Sequence, residues 1–360
     1  MKVVPPGSTI GILGGGQLER MTALAAAALG YKTHIYCQSD SEPAAQVSSR
    51  VTLGSFAEYA ALSRFARAVD VVTFGWENLP LETIEAVADI VAVHPGAKVL
   101  SVAQDRVNEK TFARELGIAT ADFIAVNSAA ELAAALQTIK PPAILKTRRM
   151  GYDGKGQTRI MPGDDPAAAW DKIGGAPAIL EAMVDFAFEI SVIAARRADG
   201  ATAVYPPVLN IHKDGILAET HAPADIPPQV KQQAEAMALR LAEALKVVGL
   251  LAVEMFVLKK PDSAGNMALM NEIAPRPHNS GHWTMDACAT SQFEQLVRAI
   301  CGLPLGSTEA CGHAVMHNLI GDDVKNCLQW LETPNAHLHL YGKSEIRTGR
   351  KMGHVTIVKT

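Results

Sequence analysis

No stretch of this chain approaches the roughly 18 consecutive apolar residues of a membrane span, so a membrane protein is not expected. The one leader-like segment, Met21–Leu29, is alanine-rich and follows Arg20. It lies behind a glycine turn, however, and sets its bulky residues Met21, Leu24 and Leu29 on one helical face. It reads as a packed helix. Cysteine is scarce: Cys37, Cys288, Cys301, Cys311 and Cys327 are scattered and never at CxxC spacing. That argues against a disulfide framework or a zinc site and for a reducing, cytoplasmic setting. Basic tracts are missing too, and a net charge of −4 leaves no electrostatic footprint for nucleic acid. What remains is an ordinary globular composition, 48% apolar and 19% charged. At 360 residues the chain exceeds one small core, so two or three domains are expected.

Residues 9–100 alternate apolar runs with helical or turn-rich segments. Ile10–Leu13, Thr33–Tyr36, Val51–Leu53, Val69–Phe74 and Ile90–Val93 read as strands of a parallel sheet with helices on its faces. A ligand is expected at the carboxyl ends of such strands. The first strand runs into Gly14-Gly15-Gly16-Gln17-Leu18-Glu19, a strand-to-helix turn whose N–H groups and helix dipole suit a phosphate. A purely structural tight turn is the competing reading. A nicotinamide fingerprint is not: the third glycine of GxGxxG is Glu19, and the second strand ends Tyr36-Cys37-Gln38 with no acid for a ribose. Phe74-Gly75-Trp76-Glu77-Asn78 follows a later strand, where substrate contacts belong.

Residues 101–117 read as one helix begun by Ser101 and stopped by Gly117, with Arg106 and Lys110 on one face, ordinarily a solvated pair. A strand near 122–126 and an alanine-rich helix over 128–139 follow. Pro141-Pro142 then precede the apolar run Ala143–Leu145, a strand ending at Lys146. Behind it stands Lys146-Thr-Arg-Arg-Met-Gly-Tyr-Asp-Gly-Lys-Gly-Gln157, with Gly151, Gly154 and Gly156 interleaved with Tyr152, Asp153 and Lys155. Glycines let N–H groups close on an anion, and the cations supply charge for a triphosphate. This is not a Walker A loop, because Gly156 is followed by Gln157. A flexible basic hairpin explains the stretch equally well by itself.

Ile179–Val184 looks like a strand leaving a domain boundary with an exposed edge. Strands are also expected at 189–196 and 203–205, a loop at His212, and an amphipathic helix over 227–245. Two further strands, 251–258 and 267–273, carry Glu254 and Glu272 among apolar residues. A carboxylate so placed must be paired or bind a cation, and two on neighbouring strands suit magnesium. His278 and His282 have zinc-helix spacing, but Pro277, Ser280 and Gly281 make a helix there untenable. Beside His278, Arg276 can fork toward a small oxyanion such as bicarbonate. A helix at 290–301 precedes strands and turns over 311–360, where His337 and His339 read as an exposed face and Thr348–His354 as a basic glycine turn.

Lys146 with the Gly151–Gln157 loop, then Glu181-Ala-Met-Val184, Glu189, Glu254 and the run Asn271-Glu-Ile-Ala-Pro-Arg-Pro-His-Asn-Ser-Gly-His-Trp283, resemble the ATP-grasp ligases. Within them the resemblance, from about Ile10 to Ile357, is to the family that carboxylates aminoimidazole ribonucleotide in purine biosynthesis. It implies an α/β and α+β three-domain ATP-grasp fold with an N-terminal Rossmann-like, pre-ATP-grasp domain of parallel strands. The expected divisions are 1–106, 107–182 and 183–360. By the same resemblance Gly16, Gln17 and Leu18 hold the substrate phosphate, and Glu77, Asn78, Asn279, Arg350 and Lys351 contact substrate. ATP falls to Arg106, Lys146, Gly151–Gln157 and Asn271–Glu272, with Glu181, Ala182, Met183 and Val184 at the adenine, Glu189 at the ribose and His212 on the nucleotide. Glu254 and Glu272 take Mg2+, and Arg276 and His278 serve bicarbonate. The chain departs from the family at Glu19, where glycine is usual, and at Gly75, where an acid is common. Many relatives also carry a longer tail than one ending at Thr360.

The implied chemistry is phosphorylation of bicarbonate by ATP, with Lys146, Lys155 and magnesium neutralising the transferred group. The glycine loop is expected to close as a lid against hydrolysis. The amine of aminoimidazole ribonucleotide then attacks, positioned or deprotonated by Tyr152 and Asp153, or with the departing phosphate as base. A homodimer is also implied. The rivals are a formate-dependent ligase of the glycinamide ribonucleotide transformylase type and a nucleotide-binding protein without turnover.

Overall fold

In the computed structural model, which describes residues 3–151 and 154–359, seventeen strands form three sheets. The first sheet holds β1 (Thr9–Leu13), β2 (Lys32–Cys37), β3 (Arg50–Leu53) and β4 (Val71–Phe74), all parallel in the order β3-β2-β1-β4. Near-continuous burial of β1 and β4 follows from helices covering both faces. The expected fifth strand at Ile90–Val93 is reduced to one parallel bridge between Val72 and Val93. The segment is too short to continue the ladder before Pro95.

The single helix expected over 101–117 is two, Ala97–Ala103 and Arg106–Glu115. Asp105 breaks the run: its carboxylate accepts from the N–H groups of Val107 (3.0 Å) and Asn108 (3.4 Å) and starts the second helix. Gly117, at φ +68°, ends it as expected.

The second sheet contains β5 (Phe123–Val126), β6 (Ala143–Thr147), β7 (Gln157–Ile160) and β8 (Ala178–Ala182), antiparallel in the order β5-β8-β6-β7. β8 is therefore an inner strand and not the exposed edge expected from sequence. The pairing runs on to Met183, whose N–H donates to the Pro142 carbonyl at 3.3 Å. Helices Ala129–Thr138 and Pro166–Lys172 pack on this sheet through Leu132, Leu136 and Trp170.

The third sheet is antiparallel and has nine strands: β9 (Phe186–Arg196), β10 (Thr202–Val204), β11 (Val208–Lys213), β12 (Ile216–Ala222), β13 (Gly249–Leu258), β14 (Ala268–Ala274), β15 (His313–Ile320), β16 (Ala336–Leu340) and β17 (Lys351–Lys359). Helix Pro228–Ala244 lays Val230, Ala234, Met237 and Leu241 on β9 and β13. On the opposite face helix Gln292–Cys301 is wedged between this sheet and the first, joining Leu296 and Ile300 to Ile10, Ile193 and Leu250. That shared core fixes the parallel sheet against the large one.

Three further expectations are corrected. His212 lies on β11, at a register shift, and not in a loop. The C-terminal region includes a 3-10 helical stretch, Gly321–Glu332, besides its strands. His339 is not on an exposed face: it stacks on buried His354 and meets Asp286 at 3.0 Å, while His337 remains half exposed. Among the described residues, no helix is long and apolar enough to cross a membrane.

Candidate active site

The carboxyl ends of β1 and β4 set two loops side by side. Gly16 caps helix Gln17–Ala28, and with Gln17 and Leu18 it lines a cavity of about 840 Å³. Glu77 and Asn78, past β4, form the adjoining wall. The same cavity receives Arg106, Gly151 and Lys155 from one side. Glu254, Glu272, Arg276, His278 and Asn279 enter from the large sheet, and Arg350 and Lys351 from the C-terminal turn. Residues up to 337 positions apart, from Gly14 to Lys351, thus converge on one space. Lys146, Gly154, Gly156, Gln157, Glu181, Ala182, Met183, Val184, Glu189, His212 and Asn271 stand outside its lining. Tyr152 and Asp153, expected to handle the substrate amine, lie outside the described residues.

Buried charge organises one side of the site. Lys146, at the end of β6, donates to Glu181 Oε2 at 2.8 Å, and Lys110, fully buried, approaches Glu181 Oε1 at 3.3 Å. Burial raises the Glu181 carboxyl, but Lys146 and then Lys110 outweigh it and hold it down at about 2. Lys110 also donates to the carbonyl of Asn271 (2.9 Å), and Glu109 accepts from the N–H of Ile273. The helix carrying Arg106 is thereby tied to β14. Sequence reading missed Glu109 and the burial of Lys110, because a charged helical face reads as solvent-facing until its partners are known. Glu181, assigned by resemblance to the adenine, has its carboxylate enclosed by these two lysines. Glu189 on β9 and His212 on β11 pair at 3.4 Å, and a carboxylate oxygen of Glu254 lies within 4.8 Å of both. Burial lowers the His212 imidazole, but the Glu189 carboxylate more than offsets this and raises it.

The carboxylates expected to hold a metal face each other in register, Glu254 on β13 opposite Glu272 on β14. Arg106 engages Glu272 Oε2 at 2.6 Å, and His278 Nε2 engages Glu254 Oε1 at 2.8 Å. Each pair uses one carboxylate oxygen and leaves the second for another partner. The side chain of Asn271, next in sequence to Glu272, has a buried oxygen with no hydrogen-bond partner among the described residues. Carboxylate and amide oxygens are the hard donors that magnesium takes, so the facing pair Glu254 and Glu272 fits the ion in its chemistry, with the unpartnered Asn271 oxygen a third donor of the same kind.

Arg276 does not stand open toward an anion. Its guanidinium forms a two-point pair with Glu77, with Nη2 to Oε1 at 2.8 Å, and also reaches the Pro277 carbonyl at 3.0 Å. His278 is fixed from both ends, by Glu254 and by Ser280 Oγ at 2.8 Å. Ser280 continues to Ser191 (2.6 Å), Asn210 (3.0 Å) and Thr220 (3.1 Å), a buried hydroxyl–amide chain that orients the imidazole. None of these small polar residues carried a sequence signal. Asn279 exchanges both amide groups with Asn318, at 2.9 and 2.7 Å. In the C-terminal turn Arg350 donates to the Glu345 carbonyl, and Lys343 and Arg347 join the cavity lining unannounced by the sequence.

Family models match nearly the whole chain: a ribonucleotide synthetase preATP-grasp domain over residues 7–104, an ATP-grasp domain over 111–293, and a phosphoribosylaminoimidazole carboxylase C-terminal domain over 314–360. Fold and site together thus define an ATP-grasp enzyme. The N5-carboxyaminoimidazole ribonucleotide synthase of Brucella melitensis is 49% identical over 356 residues, covering 98% of this chain and 97% of that protein. The chain spans only 37% of the longer bifunctional purine synthesis protein purC/E of Dictyostelium discoideum, with 47% identity across 98% of its own length. The Aspergillus clavatus N5-carboxyaminoimidazole synthase, solved in complex with ADP and 5-aminoimidazole ribonucleotide, superposes with a TM-score of 0.90 at 33% identity. That match covers 98% of this chain and 94% of the other. The chain belongs to the N5-carboxyaminoimidazole ribonucleotide synthase family.

Proposed function

We propose that this chain joins bicarbonate to the exocyclic amine of aminoimidazole ribonucleotide at the expense of ATP, giving N5-carboxyaminoimidazole ribonucleotide, ADP and phosphate. The observation that carries this reading is the convergence of the glycine turn at Gly16, the Glu77–Arg276 pair and the Glu254–Glu272 carboxylates on one cavity. The relative crystallised with ADP and 5-aminoimidazole ribonucleotide supports it.

A bicarbonate oxygen attacks the γ-phosphorus of ATP, the bond to the bridging oxygen breaks, and ADP leaves. The amine then attacks the carbonyl carbon of carboxyphosphate, phosphate departs, and the amine gives up a proton. Lys155 and Lys146 supply positive charge to the phosphates. Arg106 orients Glu272, and Glu254 holds the His278 imidazole beside the bicarbonate position. Magnesium, held by Glu254, Glu272 and Asn271, would offset the negative charge of the nucleotide phosphates. Tyr152 and Asp153 are the groups proposed to position or deprotonate the amine. In this reading the chain divides at residues 106 and 182, works in the cytoplasm and pairs as a homodimer; sedimentation tests the last.

ADP release measured with bicarbonate or formate, with and without aminoimidazole ribonucleotide, tests the reading. Turnover with bicarbonate, stimulated by the ribonucleotide, is expected. Turnover with formate alone would replace the substrate assignment.

A further inference from the structure

Glu19 stands in the first turn of helix Gln17–Ala28, yet it is only 4% exposed. Its carboxyl lies in a hollow made by three glycines of two different loops. A Cβ on Gly14 would fall 2.5 Å from Oε1, one on Gly16 3.0 Å from Oε2, and one on Gly75 2.7 Å from the carboxyl carbon. A side chain at Gly14 or Gly75 would push the carboxyl out of this placement, and one at Gly16 would crowd it. The hollow borders the cavity at the glycine turn, where Gln17 and Leu18 also face it. Lys343, Arg347, Arg350 and Lys351 approach the same cavity from the C-terminal turn. A glycine turn at a helix N-terminus beneath a cationic turn is an anion seat. A carboxylate beside it would repel a phosphate dianion, so its protonation state decides what it contributes.

Resting on the functional reading above, we propose that Glu19 is a substrate-binding residue that meets the ribonucleotide phosphate as a neutral acid, donating its proton as a hydrogen bond. Burial pushes the Glu19 carboxyl up to about 7; the N–H groups of Glu19 and Gly75 and the charge of Arg276 pull the other way, and Glu42 adds to the rise. The titratable groups around it are Glu42 from the loop after β2, Cys37 at the end of β2, and Arg276 beyond β14. Arg276 is itself paired with Glu77. The Cys37 thiol is pushed up to about 11, so it stays neutral near pH 7. A phosphate dianion arriving beside Glu19 raises the acid further, and binding takes up a proton.

The test measures the dissociation constant of aminoimidazole ribonucleotide between pH 7 and 8.5, where its phosphate stays a dianion, for the wild type and for Glu19→Gln. Glutamine keeps the shape and a donor but cannot ionise. Wild-type affinity should fall by up to about tenfold per pH unit, while Glu19→Gln stays nearly flat. A wild-type-to-variant ratio that changes less than threefold over this range overturns the proposal, as does tighter binding by Glu19→Ala. Calorimetry of the wild type at pH 8 in two buffers of different ionisation enthalpy does not depend on any variant folding. Net proton uptake on binding supports the proposal, and no uptake or net release refutes it. If the wild type binds no ribonucleotide and its ADP release ignores that compound, the functional reading fails. pH-insensitive binding sinks the Glu19 assignment alone.

Discussion

Arg276, just past the end of β14, and Glu77, on the loop after β4, form a two-point ion pair across 199 residues of sequence. The pair locks the first sheet to the third at the cavity. Burial raises the Glu77 carboxyl, and the charge and hydrogen bonds of Arg276 more than offset it, so it sits below the ordinary range. Glu77→Gln should destabilise the protein by roughly 3 kcal/mol, because an arginine is left without its counter-charge in a largely buried place. Denaturant melts at pH 7 measure this, and a loss under 1 kcal/mol would show that the pair is not what holds the two sheets.

The Lys146–Glu181–Lys110 triad sets part of the acid limb of stability. Glu181 is held at about 2, below its unfolded value near 4.5, so its contribution is complete above that value. It is lost as pH falls from about 4.5 toward 2. Glu181→Gln should cost about 3–5 kcal/mol at neutral pH, since Lys110 would keep an uncompensated charge, and should flatten the stability profile below pH 4.5. Parallel profiles for the two proteins would remove Glu181 from that role. Lys146→Ala should weaken ATP use and, by relieving the crowding of charge, disturb the fold less.

Removing divalent cations by chelation should abolish ADP release, and added magnesium should restore it. Glu254→Gln and Glu272→Gln should each lower turnover by on the order of 100-fold while circular dichroism stays unchanged. Wild-type turnover by either variant would show that its carboxylate is not needed.

Asp105 caps the helix that presents Arg106 and also holds Arg148, at 2.9 Å, from the strand-to-loop junction. Asp105→Ala should cost about 1–2 kcal/mol as a lost cap and raise the KM for ATP, because the two arginines lose a common anchor. An unchanged KM with reduced stability would limit Asp105 to capping.

The sequence alone was enough for the alternation behind the parallel sheet, the helix over 228–244 and the two carboxylate-bearing strands. Apolar spacing and glycine chemistry are local, and β13 and β14 are adjacent in sequence, so their opposition was legible before any coordinates. The resemblance carried by Lys146 and by Asn271–Trp283 named the family. What the chain could not reveal by itself depends on distance in sequence. The burial of Lys110, the closing of Arg276 on Glu77, the inner position of β8 and the serine–asparagine chain behind His278 each require partners from remote segments. Glu19 is the sharpest case: read along the chain it is an acid in a first helical turn, and the hollow that buries it is completed by Gly75, brought in by the neighbouring strand, beside Gly14 and Gly16. Burial and pairing are properties of the packed chain, and they decide the charge that a carboxyl carries.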